Sequence, residues 1–201
     1  MKKLKYLLNI IYHYRKVFFQ VIFFEIFFSF KLNNILSNIK IQDSKYRTDT
    51  VPCVFYFLYL IKVFIKKNKI KSIVDVGSGY GRVVSFLTLD NKIKSYGIEY
   101  DKKVFNVSLR IKNKRIKLFC GNIFSFNLKK FKSNCFILID PFKKIRDRNR
   151  FFDKIKKEVK SKKKFIIAVN VSQKKIPKYL KLIYSKDASK ERHLKIYKFI
   201  Q

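Results

Sequence analysis

Acidic side chains are scarce in this chain. Only 13 Asp and Glu stand against 48 Lys and Arg, for a formal net charge of +35 over 201 residues. Tryptophan is missing, and there are two Ala, three Pro and five Gly. Apolar residues nonetheless make up 48% of the chain, so it is globular rather than disordered. The length suits one domain with a sizeable core and falls short of two. The cysteines Cys53, Cys120 and Cys135 are odd in number and widely spaced, which gives no disulfide framework and no thiolate metal site. Cys120 and Cys135 fall in apolar runs and are expected as buried core residues in a reducing, cytoplasmic setting. His13 and His193 adjoin no other ligand-type cluster, so no metal is expected.

Long hydrophobic runs are also lacking. The best, Val17 to Phe30, is 14 residues long and holds Gln20 and Glu25, whereas a membrane span needs about 20 apolar residues. The segment before it is broken by Asn9, His13, Arg15 and Lys16, with no small-residue cleavage site, so no signal peptide is expected. Lys5, Asn9, His13, Lys16 and Gln20 recur at intervals of three or four, which places them on one stripe of a helix. Such an amphipathic helix suits either a peripheral position on an anionic membrane, on its inner face, or packing against the domain or a second copy. Glu25 falls off the stripe. Residues 31–50 are polar and read as a connector, and a helix follows from near Pro52 to about Ile65. The expected organisation is residues 1–45 as helix and connector, and 46–201 as the main domain.

The excess of basic residues points to anionic partners such as RNA, anionic lipid or a phosphorylated glycan. Two compositional features weigh against reading all of it as a footprint. Lys outnumbers Arg by 39 to 9, although the planar guanidinium is the better reader of phosphates and bases. Lys, Ile, Phe, Asn and Tyr, with AT-rich codons, are abundant throughout, so compositional drift on a solvated surface stands as the alternative to a nucleic-acid footprint.

From Ile70 the pattern changes to short apolar runs separated by basic helical stretches. SIVDV (72–76), SYGIE (95–99), IKLFC (116–120), CFILID (135–140) and FIIAVN (165–170) read as strands, several without polar alternation, as expected of parallel strands buried on both faces. Helices are expected at 82–89, 102–113 and 148–160, with a short turn near Leu128. This alternation predicts an α/β Rossmann-like parallel sheet. The runs 179–185 and 193–200 are separated by a polar loop too short for a helix, and they predict a closing antiparallel hairpin and a seven-stranded sheet.

All five glycines lie between positions 77 and 121, and three fall in Val74-Asp75-Val76-Gly77-Ser78-Gly79-Tyr80-Gly81-Arg82, between a strand and a helix. A pyrophosphate-binding loop has G-x-G-x-x-G spacing, and a carboxylate two residues before the first glycine would repel a pyrophosphate. Asp75 suits a ligand with a positive end. Glu99, at the end of the second strand, is placed to accept ribose hydroxyls. Asn122 follows the third strand in Cys120-Gly121-Asn122, where it is placed to bond an adenine edge. Asp140-Pro141-Phe142 closes the fourth strand.

The segment 70–142 resembles class I S-adenosylmethionine-dependent methyltransferases, and among them small bacterial ones of the kind found with polysaccharide or surface-glycan genes. DVGSGYGR, GIE, GN and DPF stand at their motif positions. The resemblance implies a methyltransferase with S-adenosylmethionine held by Asp75, Gly77, Ser78, Gly79, Gly81, Glu99 and Asn122. It implies Asp140 as the residue that positions or deprotonates an oxygen or nitrogen acceptor. Pro141, Phe142, Asn170 and Tyr80 would line the acceptor pocket. Two departures stand out: Asn122 where Asp is common, and no D/N-P-P-Y motif of the enzymes that methylate adenine or glutamine nitrogen. The acceptor readings are a small or lipid-linked glycan, or RNA. A non-catalytic protein on an eroded methyltransferase fold is the competing reading from another class.

Overall fold

The computed structural model describes residues 12, 14–31, 53–89, 92–161 and 163–200. Lys5, Asn9, His13, Pro52 and the 32–50 part of the connector lie outside the described residues. Of the predicted polar stripe, Lys16 and Gln20 are described, and both are exposed.

The main sheet has seven strands: β1 (Ser72–Val76), β2 (Lys94–Glu99), β3 (Ile116–Cys120), β4 (Cys135–Ile139), β5 (Phe165–Val169), β6 (Leu180–Asp187) and β7 (His193–Phe199). Their spatial order is β3-β2-β1-β4-β5-β7-β6. The first five are parallel, and β7 runs antiparallel between β5 and β6. The α/β Rossmann-like sheet with a closing hairpin therefore stands as the apolar runs predicted. The order reverses direction at β1, so the loops after β1 and β4 diverge there and open a crevice at the C-terminal edge.

Alternating side chains of each strand serve two cores. Ile73, Ile137, Ile167 and Val169 point to one face. There they meet α1 (Phe18–Lys31), α2 (Phe55–Lys67) and α3 (Arg82–Thr88). Val74, Val76, Phe136, Leu138 and Ile166 point to the other face. They pack on Phe151, Phe152 and Ile155 of α5 (Ile145–Glu158). Phe55, Phe57, Phe86, Phe136, Phe151 and Phe152 are fully buried. Truncating any one to Ala should cost about 3–5 kcal/mol. Helix α4 (Lys102–Ser108) stops five residues before the predicted end, in turns at Leu109 and Arg110. It starts on a strong signal, because the Asp101 carboxylate accepts from the Lys103 and Val104 amides.

One expectation is corrected. Cys120 is exposed, whereas Cys135 is buried. Strand β3 is the sheet's edge and is only partly covered, while β4 lies in the middle.

Helix α1 packs on the main domain. Tyr14, Val17 and Val21 are buried in the first core, and the Phe28 ring sits 4.8 Å from Phe86 and 5.5 Å from Phe55. Glu25, off the polar stripe in the sequence, is the residue that locks the helix down. Arg82 Nη2 donates to its two carboxylate oxygens at 2.8 and 2.7 Å, and the Phe55 amide donates to it at 2.7 Å. The Arg82 guanidinium also lies 3.8 Å over the Phe55 ring.

Candidate active site

The loop after β1 turns because glycine permits it. Gly81 has φ +82°, and a Cβ there would lie 2.3 Å from Ile111 Cδ1. Gly77 has φ +72°, and its Cβ would meet Pro141 Cβ at 2.9 Å. The missing side chain at Gly77 leaves room for Pro141, so the loop after β1 lies against the end of β4. The amides of Gly77 and Ser78 donate to Ile98 O at 2.9 and 3.0 Å, and the Gly81 amide donates to Ser78 O.

Glu99 joins two loops. One carboxylate oxygen accepts from the Gly79 amide at 2.8 Å and the other from the Asp101 amide at 2.8 Å. This carboxylate is therefore a fixed feature of the crevice rather than a solvated surface acid. Gly97, two residues earlier, sits where a Cβ would come within 2.7 Å of Leu118 and 2.9 Å of the Ser78 hydroxyl.

Asp75 lies on β1 and is 1% exposed, and neither of its carboxylate oxygens has a hydrogen-bond partner among the described residues. Burial, reinforced by the nearby Glu99 charge, pushes its pKa up to about 8. A buried acid that caps nothing and pairs with nothing is costly to a fold. A bound positive group would remove that cost. Asn122 is exposed at the end of β3, and its side-chain oxygen accepts from the Phe124 amide, capping a short 3-10 turn.

At the other side of the crevice, Asp140 and Asn170 immediately follow the paired residues Ile139 and Val169. Both adopt left-handed backbone, at φ +43° and +57°. Such conformations are uncommon outside glycine, and Asp and Asn tolerate them best. Burial raises the Asp140 carboxyl, while Arg192, His193 and Arg148 oppose that shift. Asn170 ties the end of β5 to β7: its side-chain oxygen accepts from the His193 amide at 3.1 Å, and its own amide donates to His193 O. Phe142 packs against Phe124 and Phe151, and Tyr80 is half-buried in the glycine loop.

Sequence reasoning missed Arg148. It is 2% exposed, and its guanidinium donates to Ser172 O and to Lys174 O, holding the loop after β5 in place. His193 Nε2 lies 2.9 Å from Val171 O in the same loop, and the Tyr197 hydroxyl donates to Gln173. The signal was present: Arg148 stands three, four and seven residues before Phe151, Phe152 and Ile155, on the apolar face of α5.

No family model matches the chain, and no curated protein matches it in sequence. Solved structures do match. An RNA methyltransferase from Salinibacter ruber, in complex with S-adenosyl-L-homocysteine, has 11% identity and a TM-score of 0.55, covering 74% of this chain and 94% of its own. A SAM-dependent methyltransferase from Aquifex aeolicus has 13% identity and a TM-score of 0.52, covering 69% and 89%. The methyltransferase domain of bacterial CtHen1-C has 14% identity and a TM-score of 0.55, covering 71% and 96%. At such identities it is the architecture that is shared. Sheet order, closing hairpin and these likenesses agree: the chain has the fold of the class I S-adenosylmethionine-dependent methyltransferases.

Proposed function

We propose that the protein is an S-adenosylmethionine-dependent methyltransferase acting on an oxygen or nitrogen acceptor. The observation that carries this reading is Asp75, a buried carboxylate without a partner beside the glycine loop. S-adenosylmethionine fits that donor set, because it brings an ammonium and a sulfonium; when bound, it supplies an activated methyl whose leaving group is a neutral thioether. Asp75 would face its positive end, Gly77, Ser78, Gly79 and Gly81 would give it backbone to lie against, and Glu99 would take its ribose hydroxyls. Asn122 would border its base.

The chain's own part in the chemistry is mainly positioning. Asp140, at the rim of β4, would orient the acceptor and take its proton, a role suited to a carboxyl raised by burial. Asn170, the loop held by Arg148, Pro141 and Tyr80 would wall the acceptor side, with Phe142 behind.

For the acceptor, two observations favour RNA over a glycan. The net charge is +35, and one solved structure that shares the fold is an RNA methyltransferase. Structured RNA should therefore be methylated by the protein with radiolabelled cofactor, with binding that weakens steeply in salt; methylation of lipid-linked glycan but not of RNA would reverse that order.

The cofactor reading is tested by calorimetric titration of S-adenosylhomocysteine, with NAD alongside, into wild type and an Asp75→Ala/Glu99→Ala variant. Binding of S-adenosylhomocysteine alone, lost in the variant, is the expected result. No binding to the wild type would overturn the reading and leave a non-catalytic protein on this fold.

A further inference from the structure

The inner side of α1 is occupied by the core, but its outer side presents a second apolar strip. Phe19, Phe23, Ile26 and Phe27 are 82, 64, 56 and 53% exposed. Their spacing of four, three and one puts them on one face. The Phe23 and Phe27 rings stack at 6.2 Å. Exposed Arg15 and Lys16 extend the strip one turn before Phe19. On α2, Tyr59 and Val63 are also exposed, and the Tyr59 ring lies 4.8 Å from Phe24, so α2 continues the apolar surface. Lys66 and Lys67 stand at the end of α2. A helix that needed only to pack on the domain would carry polar residues on its outer side.

We propose that this face lies flat on an anionic lipid surface. Charge complementarity selects that occupant. Glu25 is the only acid among residues 1–42, and it is turned inward onto Arg82, so α1 offers no negative charge to headgroups. Arg15 and Lys16 would meet headgroup phosphates while the aromatic strip enters the acyl boundary. Among the described residues no helix is long and apolar enough to cross a membrane, which fits surface docking rather than spanning. A nucleic acid would favour cations interleaved along the strip, yet none follows Lys16 before its end at Phe27. The proposal uses no residue of the cofactor loops and stands or falls separately from methyl transfer.

The test is flotation of the full chain with phosphatidylglycerol-containing or pure phosphatidylcholine vesicles at about 0.5 M salt, where attraction by bare surface charge is screened. The wild type should float with the anionic vesicles. A Phe19→Ser/Phe23→Ser/Phe27→Ser variant should lose roughly tenfold or more in partitioning, as the lost apolar burial implies, with its melting temperature and S-adenosylhomocysteine titration unchanged from wild type. Arg15→Gln/Lys16→Gln, compared with wild type at about 0.1 M salt where charge is less screened, should narrow the preference for anionic over neutral vesicles. Three outcomes would overturn the proposal: unchanged flotation of the triple variant, a lower melting temperature in that variant, or a wild-type dimer in sedimentation that the variant dissociates.

Discussion

Two carboxylates, half-buried Glu25 and buried Asp75, sit on the same side of the sheet with opposite fortunes. Glu25 receives two contacts from Arg82 and one from the Phe55 amide. Asp75 receives none, and its carboxyl is pushed up to about 8. The first charge serves the fold, since it fastens α1 to the helix that opens from the glycine loop. The second burdens the fold and makes sense only with something positive against it. The contrast separates groups that hold the molecule together from groups left for a ligand.

Removing each acid should therefore have opposite effects on stability. Glu25→Ala strands the Arg82 charge and should cost about 3–5 kcal/mol, read as a fall in the urea midpoint. Asp75→Asn should weaken S-adenosylhomocysteine binding by roughly 100-fold, about 2.7 kcal/mol, while raising the melting temperature of the ligand-free protein. That gain has a defined pH dependence. The folded Asp75 carboxyl holds its proton up to about pH 8, whereas an unfolded one releases it near 3.8. Its contribution to stability is complete below the lower value and is lost as pH rises through the higher one. The gain from Asp75→Asn should thus be absent near pH 4 and widen as pH rises to about 8, read as a growing difference in melting temperature. A variant less stable than wild type at pH 9 would break the comparison.

Glu99→Gln sharpens the contrast from a third position, because Glu99 both fastens two loops and faces the crevice. Loss of a charged acceptor costs about 1.5–3 kcal/mol, so the dissociation constant should rise about 10- to 100-fold in the same titration. Asn122→Ala is expected to have the smallest effect. It removes a cap worth about 1 kcal/mol, and thermal melting should register a drop of a few degrees at most.

The sheet was legible because its central strands β1, β4 and β5 are buried on both faces, and runs such as Phe165–Val169 carry no polar interruption. The cofactor edge was legible for a similar reason: glycine is rare here, and the turn at Gly77 to Gly81 needs it. Cys120 was misplaced because an apolar run does not say whether its strand is central or at an edge. The partnership of Glu25 with Arg82 was hidden because its ends lie 57 residues apart and neither has a local pattern. Arg148 was hidden for the opposite reason: a lone cation on an apolar helix face reads as a periodicity error until the carbonyls it serves are in place.

The same separation of 57 residues has a consequence for synthesis on the ribosome. Glu25 is translated first and must wait for Arg82, for about 3–11 s at 5–20 residues per second. During that interval both aromatic sides of α1 lack their shield, and a buried-to-be carboxylate lacks its cation. The nascent chain is thus at its most adhesive before the glycine loop exists. Slowing translation between the codons for Glu25 and Arg82 should lower the soluble yield more than slowing it beyond β5.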